Sequence, residues 1–176
     1  MAKIIADSST LILLAKCGLL EVVCETFDIC VPPAVAAEAA SEELAKIYPD
    51  AALILKLISA KTLTVHDPGS TELPLPISLH KGETEALALA LKTKGALLAT
   101  DDGKAIKAAR SLKVPFLITP KIVTELHKLN LISFKSARKS LEKLGTIGRY
   151  SPEILADALI SLMEDKYGKT DNHKNT

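Results

Sequence analysis

The chain has 176 residues, the size of one ordinary domain, and at 48% hydrophobic and 24% charged residues it is neither a disordered segment nor a fibrous one. Aromatic residues make up 3% with no Trp, which excludes a base-stacking RNA platform, and no apolar run reaches the length of a bilayer core, so a soluble protein is expected. The net charge of +1 excludes nonspecific coating of nucleic acid, but its distribution is uneven: residues 1–100 carry 8 basic and 12 acidic side chains, and residues 101–176 carry 14 and 9.

Lys3 to Ala6 reads as a short apolar strand that stops at Asp7. Ser8, Ser9 and Thr10 offer capping hydroxyls to a helix expected from Leu11 to Ala15, which breaks at Gly18 and resumes from Leu19 to Cys24. Phe27 to Val31 is a second strand, ended by Pro32-Pro33, a pair suited to opening a helix over Ala34 to Ala40. Leu44 to Ala60 is apolar at helical spacing with an interruption near Pro49, and Thr62 to Val65 is a strand. Asp67 to Ser78, with Pro68, Gly69, Pro74 and Pro76, is a surface loop. The clearest helix runs from Gly82 to Lys94, with Gly95 closing it at C′. Ala96 to Ala99 is a strand leading into Thr100-Asp101-Asp102, and Lys104 to Leu112 is a helix. Pro115 to Ile118 is a further strand, and Thr119-Pro120 opens a helix through Leu129. Two more helices fit Ser133 to Leu144 and Ser151 to Lys166, and the polar tail from Gly168 is expected to fray.

Strands alternating with helical runs of this length specify an α/β fold: a single domain with a central, mostly parallel sheet flanked by helices. The expected division is a sheet domain over 1–130, a helical extension packed on it over 131–167, and a tail over 168–176. The start of the chain lacks the features of a signal peptide. Cys17, Cys24 and Cys30 are odd in number and lack the C-x-x-C spacing, so they read as buried small apolar residues in a reducing cytoplasm.

Functional groups of open parallel sheets gather beyond the carboxyl ends of the strands. Asp7 and Asp101-Asp102 sit at two such ends, Glu38 lies on the helix after the second strand, and Glu83 and Glu85 lie at the start of the Gly82 helix. Four segments can therefore bring carboxylates to one end of the sheet. Clustered carboxylates repel one another unless a cation neutralises them, and hard oxygen donors suit Mg²⁺ or Mn²⁺, ions that act on phosphodiesters. Each acid also has an ordinary reading: Glu83 and Glu85 complement a helix dipole, and Asp101 or Asp102 forms an N-cap. Glu83 and Glu85 project about 200° apart around a helix and cannot serve equally; Glu83, nearer the positive helix end, is favoured. Lys104, Lys107 and Arg110 recur every three residues, either as a rail for substrate phosphates or as a solvated face.

The ordered set Ile4-Ile5-Ala6-Asp7-Ser8-Ser9-Thr10-Leu11-Ile12, Val31-Pro32-Pro33-Ala34-Val35-Ala36-Ala37-Glu38, Gly82-Glu83-Thr84-Glu85-Ala86 and Leu97-Leu98-Ala99-Thr100-Asp101-Asp102 resembles the PIN-domain family of nucleases, in its toxin-type branch, over about residues 1–130. The resemblance implies a metal site built from Asp7, Glu38, Glu83 or Glu85, and Asp101 or Asp102, with Ser9 as its supporting hydroxyl. A Thr-x-Asp spacing in the family points from Thr100 to Asp102, whereas Asp101 directly ends the strand. The implied activity is hydrolysis of RNA to 5′-phosphate and 3′-hydroxyl ends with Mg²⁺ or Mn²⁺. The implied partners are RNA, an antitoxin protein and a second copy of the chain as a homodimer.

Two other classes compete. A phosphatase or phospho-receiver would share the carboxylate–Mg²⁺ chemistry, but the haloacid-dehalogenase type wants a second Asp where Ser9 stands, and a receiver places its acid pair before its phosphoacceptor. A PIN-like binding module without metal is the non-enzymatic alternative; acids at all four segments argue against it.

Overall fold

In the computed structural model, which describes residues 3–70, 72–74 and 78–171 and side chains as far as Lys166, the strands are β1 (Lys3–Ala6), β2 (Asp28–Val31), β3 (Leu63–Val65), β4 (Leu97–Ala99) and β5 (Phe116–Leu117). They form one sheet in the order β3-β2-β1-β4-β5, and every pairing is parallel. Ile4, Ile5 and Ala6 are buried in succession, as are Ile29, Cys30 and Val31. A strand buried on both faces is the signature of a parallel sheet covered by helices, so the fold is the α/β class that the alternation of elements predicts.

The helices of the sheet unit are α1 (Ser8–Lys16), α2 (Leu20–Thr26), α3 (Pro33–Ala40), α4 (Glu42–Ala45), α5 (Pro49–Ser59), α6 (Lys81–Lys92) and α7 (Gly103–Ser111). Helix α6 packs on β1 and β4, and α1 packs on α3 and α5. Ile5, Leu11, Leu14, Leu20, Ile54, Leu63, Leu87 and Leu98 are the large side chains enclosed completely in this unit. Ala86 through Ala90 are buried on every side of α6, and the small side chains allow close approach there.

The chain forms two compact units, Met1–Ile118 and Thr119–Thr176. The second consists of α8 (Thr119–Lys128), α9 (Phe134–Ile147) and α10 (Pro152–Asp171), each packed on the other two around Leu126, Leu141, Leu144 and Leu162. Among the described residues no helix is long and apolar enough to cross a membrane.

Several local details depart from the sequence reading. The first helix begins at Ser8, not Leu11, because Asp7 is its N-cap: the carboxylate accepts the Thr10 amide at 2.8 Å, which leaves the three hydroxyls free for other partners. Gly95 does have a left-handed φ of +74°, but α6 ends at Lys92 with Thr93 as its C-cap, so Gly95 lies two positions past the cap, beyond C′. Cys24 and Cys30 are buried, and burial pushes the Cys24 thiol up to about 12, whereas Cys17 is half-buried at the C-cap of α1. The described part of the 67–78 loop is held by the Asp67 carboxylate, which accepts from the Gly69 amide at 2.7 Å, and by the Lys92 ammonium, which donates to the Pro68 carbonyl at 2.6 Å and to the Ser70 carbonyl. Positions 71 and 75–77 of that loop lie outside the described residues. Helix α10 continues through Asp171, past both Lys166 and Gly168; the rest of the expected frayed tail, 172–176, lies outside the described residues.

Candidate active site

The strand order reverses direction between β1 and β4, and ligands of open α/β sheets bind outside the carboxyl ends of the strands at such a point. Asp7 follows β1 directly, and its amide donates to the Ala99 carbonyl at 3.0 Å, which extends the β1–β4 pairing by one residue and sets Asp7 beside Thr100. The Asp7 side chain is enclosed, with 4% of its surface exposed. Its Oδ1 accepts from the Thr10 amide at 2.8 Å and the Ser9 hydroxyl at 3.0 Å, and its Oδ2 accepts from the buried Thr100 hydroxyl at 2.6 Å. Burial raises the carboxyl pKa above its ordinary value and dominates; the Thr100 and Thr10 hydrogen bonds oppose the rise, and the negative charge of Asp101 adds to it.

The first turn of α1 carries three hydroxyls, and each meets a different carboxylate. Ser8 Oγ donates to Glu38 Oε2 at 2.6 Å, Ser9 Oγ donates to Asp7, and Thr10 Oγ1 lies 3.5 Å from Asp101 Oδ2. Glu38 is held from a second direction, because its Oε1 accepts from the Gly82 amide at 3.2 Å at the start of α6. Asp7, Glu38 and Asp101, supplied by β1, α3 and the end of β4, therefore gather around one helical turn.

The other predicted acids are turned toward helix ends. Glu83 Oε2 accepts from the His80 amide at 2.9 Å and closes the start of its own helix. Glu85 Oε2 accepts from the Ala34 amide at 2.9 Å. Because Pro33 has no N–H and Pro32 has no capping side chain, Glu85 acts as the cap that α3 lacks in its own sequence. Asp102 is the N-cap of α7, its Oδ1 accepting from the Lys104 amide at 2.7 Å and the Ala105 amide at 2.9 Å. Lys104, Lys107 and Arg110 lie exposed along α7, and the Arg110 guanidinium sits 5.4 Å from the centroid of the Phe116 ring.

Among the described residues no group of three His, Cys, Asp or Glu side chains closes tightly enough to cage an ion alone. The Asp7–Asp101 pair nevertheless suits a small hard cation. Both are oxygen donors, their charges repel at close quarters, and Mg²⁺ is commonly held by one or two carboxylates with water and substrate phosphate completing its shell. Three participants escape a reading by motif: Thr100 as the donor to Asp7, Ser8 as the donor to Glu38, and Gly82 as its second support. All three stand inside the quoted motifs, Ser8 as a capping hydroxyl and Thr100 as the start of a Thr-x-Asp spacing, but nothing in the sequence pairs them with these carboxylates.

In a comparison with family models, the one described as DUF3368: PIN domain matches residues 3–165. The match continues beyond the 1–130 span that the motifs alone cover and takes in α8, α9 and most of α10. Searches among curated proteins and among solved structures found no significant match. With a parallel sheet, acids at its carboxyl edge and a family match over nearly its whole length, the chain belongs to the PIN-domain family, whose members are generally metal-dependent nucleases.

Proposed function

We propose that this protein is a divalent-metal-dependent ribonuclease that hydrolyses RNA phosphodiester bonds at the carboxyl edge of β1 and β4. The observation that carries the reading is the gathering of Asp7, Glu38 and Asp101 by three successive hydroxyls of α1. Asp7 and Asp101 are the residues that would hold Mg²⁺ or Mn²⁺, with Glu38 beside them. When bound, the ion would lower the pKa of water and offset charge on the phosphodiester. Thr100, Ser9 and the Thr10 amide fix the Asp7 carboxylate in one orientation, so the site is organised before substrate arrives. The exposed cations Lys104 and Lys107 would guide the RNA backbone, with Arg110 extending the same helix face. Asp101 is preferred over Asp102 as a ligand because its carboxylate faces the Thr10 hydroxyl and its charge acts on Asp7, whereas the Asp102 carboxylate is turned to the start of α7.

Water, not the RNA 2′-hydroxyl, would be the attacking group, leaving 5′-phosphate and 3′-hydroxyl ends. The phosphatase alternative gains nothing here, since Ser9 stands where a second Asp would be needed and its hydroxyl is spent on Asp7. The resemblance to toxin-type members extends the proposal to a cytoplasmic toxin, a homodimer, held by an antitoxin protein.

The test is cleavage of labelled single-stranded RNA with Mn²⁺, Mg²⁺ or EDTA by the wild type and Asp7→Asn. Metal-dependent cutting that disappears in the variant is expected. Equal cutting by both proteins would overturn the assignment of Asp7.

A further inference from the structure

Where any other residue would carry a side chain toward Glu38, Gly82 has only an α-carbon hydrogen. A Cβ built at position 82 would lie 2.5 Å from Glu38 Oε2 and 2.8 Å from Oε1, closer than real side chains tolerate, and the three nearest atoms all belong to this carboxylate. Both oxygens of Glu38 are also engaged, Oε2 by the Ser8 hydroxyl at 2.6 Å and Oε1 by the Gly82 amide at 3.2 Å. The Gly82 amide lies at the N-terminal end of α6, where unpaired N–H groups and the helix dipole favour a negative charge. Glu38 is thus fixed by donors from two helices and by a missing side chain on one of them.

We propose that Gly82 and Ser8 are positioning residues for Glu38, setting where its carboxylate stands beside Asp7 and Asp101. This inference rests on the nuclease reading above. It has a specific consequence, because the atoms a Cβ would meet are the far end of a flexible side chain. Gly82→Ala can be accommodated by swinging Glu38 away, without moving backbone. Alanine at a helical position also restricts the unfolded chain more than glycine does, so the substitution should leave the fold as stable as before or more so. Activity should fall while stability does not, the reverse of what a core glycine shows. Ser8→Ala removes the shorter of the two hydrogen bonds and leaves the carboxylate free to rotate about the other.

The experiment measures three quantities on the full chain: thermal unfolding, Mn²⁺ affinity by calorimetry, and Mn²⁺-dependent cleavage of single-stranded RNA. Gly82→Ala should keep or exceed the unfolding temperature of the wild type, and Ser8→Ala, which gives up one exposed hydrogen bond, should lower it by no more than about 4 °C. Both should lose about 10-fold or more in Mn²⁺ affinity or cleavage, the usual range for groups that orient a ligand. Ser8→Thr, which restores a hydroxyl, should recover most of the loss. In a Glu38→Gln background neither substitution should cause a further loss, because a positioning residue acts only through the group it positions. Wild-type affinity and cleavage in both variants, or losses undiminished in the Glu38→Gln background, would overturn the inference while leaving the nuclease reading intact. A wild type that neither binds Mn²⁺ nor cuts RNA would remove that reading and this inference with it.

Discussion

Thr100→Val isolates the most enclosed hydrogen bond of the site. Valine reproduces the shape of threonine, so the fully buried packing is retained and only the hydroxyl is lost. That hydroxyl donates to Asp7 Oδ2 at 2.6 Å and accepts from the Asp102 amide at 3.3 Å. A hydrogen bond to a charged group contributes about 1.5–3 kcal/mol, and the longer one, to a half-exposed amide, adds roughly 0.5 kcal/mol. The variant should therefore lose about 2–3.5 kcal/mol, or roughly 4–14 °C of melting temperature for a chain of this size. The loss should depend on pH. Burial already raises the folded pKa of Asp7 above its unfolded value, and the Thr100 hydrogen bond is the strongest influence opposing that rise, so Thr100→Val raises the folded pKa further. With both folded values above the shared unfolded one, ionising Asp7 costs each folded protein stability as pH rises, and it costs the variant more. The electrostatic part of the deficit is thus complete above the variant's folded pKa and vanishes as pH falls below that of the wild type. Urea unfolding followed by circular dichroism, in EDTA, at neutral pH and across the acid range would measure it. A deficit of the same size at every pH would show that Thr100 serves packing or the Asp102 amide and not the Asp7 charge.

The remaining acids divide into caps and candidate ligands, and their variants should separate. Glu85→Ala should lower stability by about 1–2 kcal/mol by leaving the buried Ala34 amide without its acceptor, and Glu85→Gln by about half as much, read from urea midpoints. Equal stability of all three proteins would mean that the cap on α3 contributes nothing. Asp102→Ala should cost about 1 kcal/mol as a lost N-cap, yet retain Mn²⁺ affinity that Asp101→Ala loses; the opposite pattern would return the ligand role to Asp102. Replacing Lys104 and Lys107 with Ala should weaken RNA binding and flatten its dependence on salt by about 0.7 in the log–log slope for each phosphate contact removed, measured by anisotropy across a salt series. An unchanged slope would make α7 a solvated face.

Much of the architecture is legible because it rests on local signals. Pro32-Pro33 opens α3, Gly18 takes a left-handed φ of +69° between α1 and α2, and the apolar segments ending at Asp7 and Asp101 are parallel strands as expected. What the sequence does not reveal is which acid faces which partner. Glu83 and Glu85 are separated by their surroundings: one closes its own helix, and the other caps a helix that begins with two prolines some fifty positions earlier. No periodicity encodes the second relationship, since it depends on α3 and α6 packing together.

The turn from Ser8 to Thr10 shows why local reading and site geometry diverge. In the sequence it is a run of N-cap candidates, and in the fold the cap is Asp7. Once the cap is supplied by the residue before them, the hydroxyls occupy successive helical positions, and a helix turns by about 100° per residue. Three adjacent side chains of one type therefore fan out in three directions. One reaches Glu38 on α3, one returns to Asp7, and one approaches Asp101 after β4. A run of interchangeable residues in the sequence becomes three distinct roles because the strand that precedes it ends in an acid able to start the helix. Starting α1 one residue later would rotate every hydroxyl off its partner. The acid that would hold the metal is thus also the residue that sets the phase of the helix orienting the other acids.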